Sequence, residues 1–206
     1  RISPDGRSVA VMENDAAIGT HDLWIYDVER GLRTRFTFDP GDDASPAWAP
    51  DGKMLYFSST AKEKSAVYRK SLEDAGEAEP VSSSPDDLNP TSVSPDGRFV
   101  LVDRSPTSTS TESDLMALPV GPAAAPTPVR ATSFWEGEAA FSPDGRWVAF
   151  VSNESGRFEV YVTPFPGPGR SRQVSPRTGV YPAWRKDGRE LVWIQLDGQI
   201  TSAEVS

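Results

Sequence analysis

A four-residue turn recurs along this 206-residue chain at a nearly constant interval. Ser3-Pro4-Asp5-Gly6 returns as Ala49-Pro50-Asp51-Gly52, Ser94-Pro95-Asp96-Gly97 and Ser142-Pro143-Asp144-Gly145, with a weaker copy at Arg185-Lys186-Asp187-Gly188. Between the aspartates the steps are 46, 45, 48 and 43 residues. A period in the forties is the length of one four-stranded propeller blade, so the spacing predicts an all-β propeller. The turn has its own physical logic. Proline presets φ for the second position, Asp suits the third, and Gly takes the positive φ that closes a tight hairpin.

Each turn should join two antiparallel strands. The strand after it is apolar throughout: Val9-Ala10-Val11-Met12, Met54-Leu55-Tyr56-Phe57, Phe99-Val100-Leu101-Val102, Trp147-Val148-Ala149-Phe150-Val151 and Leu191-Val192-Trp193-Ile194. Short apolar runs bounded by turns suit strands buried on both faces between stacked sheets. A third strand follows in each unit, as in Leu23-Trp24-Ile25-Tyr26-Asp27 and Glu159-Val160-Tyr161-Val162. A more polar fourth strand, such as Thr34-Arg35-Phe36-Thr37, befits an outer edge. No segment keeps a helical apolar period over a dozen positions without meeting Pro or Gly.

Blades are expected at about residues 1–38, 45–83, 89–133, 138–175 and 181–206. Second and third strands number five each and fourth strands four, so the propeller is expected to be partial and truncated at both ends. With no initiator Met before Arg1-Ile2-Ser3, the chain reads as a piece of a larger protein.

The formal charge of −9 disfavours a phosphate backbone as partner, so nucleic acid is not expected. No run approaches the roughly 18 apolar residues of a membrane span, and direct membrane contact is not expected in this segment. Cysteine is absent, which removes disulfides, thiolate metal sites and cysteine nucleophiles. His21 is the only histidine, and no Gly-x-Ser-x-Gly elbow presents a serine, so His21 reads as a polar loop residue. Neither a phosphate-binding glycine loop nor a calcium loop is present, since Gln195 and Leu196 precede Asp197-Gly198 without alternating acids. No catalytic residue, metal ligand or cofactor is expected.

The repeats resemble the TolB-type, WD-repeat-like β-propeller. The likeness rests on Trp48-Ala49-Pro50-Asp51-Gly52, Phe141-Ser142-Pro143-Asp144-Gly145 and Asp22-Leu23-Trp24-Ile25-Tyr26, and covers nearly the whole chain. Pro164 to Gly169 together with Tyr181 to Leu191 is similar to the C-terminal propellers of bacterial membrane-anchored serine/threonine kinases. That resemblance implies an extracytoplasmic (periplasmic) sensing or interaction module within a bacterial signalling protein. A cytoplasmic setting is the alternative. Kinase motifs are missing, so kinase activity would belong to other sequence. The insertion Ser105-Pro106-Thr107-Ser108-Thr109-Ser110-Thr111 departs from the repeat.

The loops leading into each inner strand share one face with those joining second and third strands, because strands alternate direction. Three of the four are acidic: Asp42-Asp43, Asp86-Asp87 and Glu136-Gly137-Glu138. Two bring aromatics, Trp135 and Tyr181. The plain reading is a solvated loop face. If the loops converge on the channel mouth, they form a negative, aromatic-bearing rim suited to a basic protein or peptide, or a small cationic ligand. Asp42, Asp43, Asp86, Asp87, Trp135, Glu136, Glu138 and Tyr181 are therefore the candidate binding residues. Trp48 and Trp184 occupy matching places and read as packing between blades, whereas Trp135 has no counterpart. The expected function is a non-catalytic binding or sensing module. The rivals are the catalytic or substrate-gating propeller of a hydrolase or peptidase, and a structural unit that self-assembles as a homo-oligomer through open edges.

Overall fold

The computed structural model describes residues 1–15, 19–61, 65–73, 76–83, 86–105, 112–121, 125–167 and 169–205. The serine- and threonine-rich insertion lies, from residue 106 onward, outside the described residues. The described chain is all β, arranged as five antiparallel sheets that follow one another as propeller blades. The first blade holds β1 (Ser8–Asp15), β2 (Thr20–Asp27) and β3 (Arg33–Arg35), with Ile2 bridging to Val9. The second holds β4 (Asp43–Trp48), β5 (Met54–Ser59), β6 (Ala66–Ser71) and β7 (Glu79–Ser83). The third holds β8 (Asp87–Val93), β9 (Phe99–Ser105), β10 (Asp114–Pro119) and β11 (Thr127–Arg130). The fourth holds β12 (Glu136–Phe141), β13 (Trp147–Ser152), β14 (Glu159–Pro164) and β15 (Arg172–Gln173). The last holds β16 (Val180–Trp184), β17 (Glu190–Ile194) and β18 (Ile200–Glu204).

The recurring turn is held by its own side chains. The Gly6 amide donates to the Ser3 carbonyl at 2.9 Å, and the glycine of each copy sits at φ between 70° and 76°. Where serine leads the turn, its hydroxyl donates to the aspartate at 2.6 Å and accepts an amide from the next strand. The serine hydroxyl bond, seconded by an arginine amide, holds the Asp96 and Asp144 carboxyls down at about 2. In the degenerate copy the Arg185 guanidinium takes over, bonding both oxygens of Asp187.

Blades are joined by apolar seams. Between the first and second blades lie Ala10, Leu23, Trp48, Leu55 and Phe57, and between the third and fourth Leu101, Leu115, Phe141, Val148 and Phe150. Burying each such large side chain contributes about 1.5–3 kcal/mol. Two indoles add a directed bond across a seam: Trp48 Nε1 donates to the Arg1 carbonyl at 3.0 Å, and Trp184 Nε1 to the Ala140 carbonyl at 3.1 Å. Turns also stack around the ring, and a Cβ on Gly145 would stand 3.4 Å from Cδ of Pro95 in the preceding blade.

Candidate functional site

The inner strands β4, β12 and β16 each carry a bulge just inside the loop face. The bulged residues Ser45, Glu138 and Tyr181 hold positive φ of 54°, 52° and 53°. Left-handed backbone is costly for such side chains, and bulges commonly re-aim a residue. In β8 the register shifts between Pro90 and Ser92, and Asn89 is the paired residue just before that shift. These four positions are bonded from blade to blade. The Ser45 and Ser58 hydroxyls reach Asn89 Oδ1 at 3.3 and 3.2 Å, the Glu138 amide donates to Asp103 Oδ2 at 3.0 Å, and the Tyr181 amide donates to Glu138 Oε2 at 2.9 Å. They form a belt near the starts of the inner strands, next to the leading loops.

The eight sequence candidates divide sharply. Asp43 is 1% exposed and sits against Thr37 and Ser59, and burial pushes its carboxyl up. Glu136 is 0% exposed; it accepts the Thr132 amide at 3.2 Å and the Thr132 hydroxyl, and burial raises it too. Both acids face hydroxyls at the end of the preceding blade's outer strand; Glu136 is bonded to its own, while both Asp43 oxygens are buried without a hydrogen bond among the described residues. Within single blades, the buried Glu159 accepts the Ser175 hydroxyl at 2.5 Å, and the buried Asp22 pairs with Arg35 at 2.6 Å.

The other candidates lie nearer solvent. Asp42 accepts the His21 amide at 2.8 Å and contacts His21 Nδ1 at 2.9 Å, which holds its carboxyl low. Asp87 is exposed, and Asp86 lies within 3.9 Å of Arg104 Nε. Tyr181 is 57% exposed. Trp135 meets Phe158 edge-on at 5.4 Å, and its amide donates to Asn153 Oδ1 at 2.9 Å, so Asn153 fixes the Trp135 loop. Phe134 and Leu196 are exposed on the same face of the last two blades.

Two residues that sequence reasoning missed complete the belt. Asp103 on β9 faces the bulge of β12; its Oδ1 is buried and makes no hydrogen bond among the described residues. Burial pushes its carboxyl up to about 7 and also raises Glu138. Gly137 clears the space between them: a Cβ there would stand 2.8 Å from Trp135 Cη2 and 2.9 Å from Asp103 Oδ2. Among the described residues no group of three or more His, Asp or Glu is placed to hold a metal ion.

Comparison with known proteins bears on this geometry. The family model of the TolB beta propeller domain matches residues 1–119. The uncharacterized peptidase YuxL of Bacillus subtilis (strain 168) is 29% identical over 156 residues, covering 74% of this chain and 21% of YuxL. The chain spans about a fifth of the length of the curated relatives it matches. Among solved structures, TolB from Acinetobacter baumannii superposes with a TM-score of 0.75 at 20% identity, over 96% of this chain and 49% of that one. A prolyl endopeptidase gives 0.67 at 16% identity, over 100% of this chain and 33% of that one. At these identities the structural likeness speaks for the fold.

Proposed function

Because the chain belongs to the TolB β-propeller family, we propose that it is a non-catalytic binding module that captures a basic protein or peptide segment on its loop face. One observation carries this reading: the belt of Ser45, Asn89, Glu138 and Tyr181, whose side chains and amides are bonded across blades next to the leading loops. A belt fixed on strands presents its groups rigidly and loses little entropy when a partner docks. Asp42 and Asp87 stand on the same face, within a chain of formal charge −9, and their sign favours a cationic partner. An extracytoplasmic setting, as part of a bacterial signalling protein, fits the resemblance drawn from the sequence.

The experiment is fluorescence anisotropy with a labelled hexalysine peptide at low and moderate salt. Replacing Asp42, Asp87 and Glu138 together by the matching amides should weaken binding about tenfold or more, with the larger loss at low salt. Equal affinity for both proteins removes the acidic face from the mechanism.

A second reading is favoured by the name of the Bacillus relative, a peptidase. There the propeller would gate substrates for a catalytic domain elsewhere in the parent protein. Release of a fluorogenic peptide by the full-length parent, altered by the same triple substitution, would support gating over plain capture.

A further inference from the structure

The repeat supplies an internal control for every position in a blade. Counting from each turn glycine, the residues equivalent to Asp103 are Met12, Ser58, Val151 and Ile194. Four blades do without an acid there, so the fold does not require one. The positions matching Gly137 are Ala44, Asn89 and Val180, and Trp135 has no aromatic counterpart in the other leading loops. Three departures from the repeat therefore coincide at one seam, between β9 and β12. The glycine removes a side chain where the acid and the indole approach each other.

We infer that this seam is the anchor for a single basic side chain of the partner, its cation paired with Asp103 and Glu138 and lying against the ring of Trp135. The inference rests on the binding-module reading and names what that module recognises. A carboxylate oxygen buried without a partner is expensive to ionise, and a guanidinium or ammonium group answers that cost. An indole beside two carboxylates adds attraction of its own for a cation. The surroundings hold no strong internal rival. Glu138 comes from β12; Arg1 lowers both carboxyls through space without bonding either. Across β8 stands the neutral Asn89, across β10 the apolar Leu115, and Arg104 is engaged with Asp86 and Asp114. With burial raising its carboxyl to about 7, Asp103 holds its proton well above the usual carboxylate range, and a bound cation would draw that proton off.

The test is a positional-scanning octapeptide library screened against the purified chain, with Arg, Lys, citrulline, Glu or Ala fixed at each position in turn. Arg and Lys should be preferred over citrulline and Ala at one position by about tenfold. Affinity of those pools should rise between about pH 5.5 and pH 8. In Asp103→Asn, and in Asp103→Ser, which carries the residue of the second blade, the preference at that position and its pH dependence should vanish while the Ala pools bind as before. A preference that survives both variants overturns the inference and leaves the wider binding-module reading standing. Pools that bind with no basic preference do the same. If no pool binds at all, both readings fall together.

Discussion

Two neighbouring seams of this propeller are built from equivalent strands but with opposite chemistry. At the junction of the second and third blades, Ser58 and Ser45 hand their hydroxyls to Asn89, and every group is neutral. One blade further on, Asp103 stands at the position of Ser58 and Gly137 at that of Asn89, with Glu138 at the bulge that follows. A cross-seam hydrogen bond survives with its roles reversed: the Glu138 amide donates to Asp103 Oδ2 at 3.0 Å, where Ser58 donates its hydroxyl to Asn89. What changes is that a buried carboxyl with one unbonded oxygen now stands where a hydroxyl sufficed. The contrast separates what the fold needs from what the third-to-fourth junction adds. Cross-blade bonding belongs to the fold, and charge belongs to that junction.

The largest effect expected from breaking the contrast is in pH dependence. A carboxyl raised to about 7 keeps its proton in the folded chain while the unfolded chain has already released it above about pH 4. Its contribution is therefore fully present below about pH 4, declines as pH rises toward 7, and is flat beyond. Asp103→Asn should match the parent at about pH 4 and exceed it by about 2–4 kcal/mol at about pH 8, read by urea denaturation across pH. A parallel pair of curves would refute the buried-acid account. Ser58→Ala, the control at the neutral seam, should shift stability without altering its pH slope.

Gly137→Asn comes next, because it installs the residue that the neutral seam carries at that position. The new side chain would collide with Trp135 and Asp103, both already within 3 Å of the first added carbon. Overpacking of this kind costs about 1–3 kcal/mol. Thermal unfolding should show the loss, and restoring room with Asp103→Ser in the same chain should recover part of it. Independent, additive effects would mean that the two residues do not share the space the structure gives them.

How much of this was legible in the sequence follows from the range of the interactions involved. The turn copies announced the propeller because their chemistry is local: Ser, Asp and Gly of one turn bond one another within a few residues. The rim acids were harder. Asp43 and Glu136 look like loop carboxylates, yet hydroxyls of Thr37 and Thr132, ending the previous blade's outer strand, draw them inside. That pairing spans a turn of the chain whose geometry the acidic pattern alone does not encode. Asp103 was passed over because it follows the apolar run inside β9 and lies in no loop. The signal that could have found it was present: aligned on the turn glycines, its column reads Met12, Ser58, Asp103, Val151 and Ile194. Reading the repeat by column as well as by motif exposes the misfit.

The indole bonds test whether directed contacts matter at the seams beyond apolar packing. Trp184→Phe keeps a large aromatic ring against the cluster of Ala149, Val160, Leu191 and Trp193 but leaves the Ala140 carbonyl without its donor. A single lost bond of this type costs about 1 kcal/mol, somewhat less where water can reach the carbonyl. Trp48→Phe should cost a similar amount through Arg1. A loss well above this in either variant would mean that the ring volume, and not the bond, holds the seam.

The smallest effect is a gain, and it again comes from comparing blades. The first, third and fourth turns begin with Ser, whose hydroxyl donates to the aspartate and accepts the amide five residues on. The second begins with Ala49, which can do neither, and Asp51 is left with the Lys53 amide. Ser3, Ser94 and Ser142 are all buried, as Ala49 is, so the site already tolerates a hydroxyl of that size. Ala49→Ser should therefore stabilise the chain by about 0.5–1 kcal/mol, the net worth of a well-formed hydrogen bond after desolvation. Chemical denaturation can resolve such a shift if the slope is unchanged. A loss in its place would show that Ala49 is needed for the apolar packing between the second and third blades. The turn serine would then be a feature of individual blades and not of the repeat.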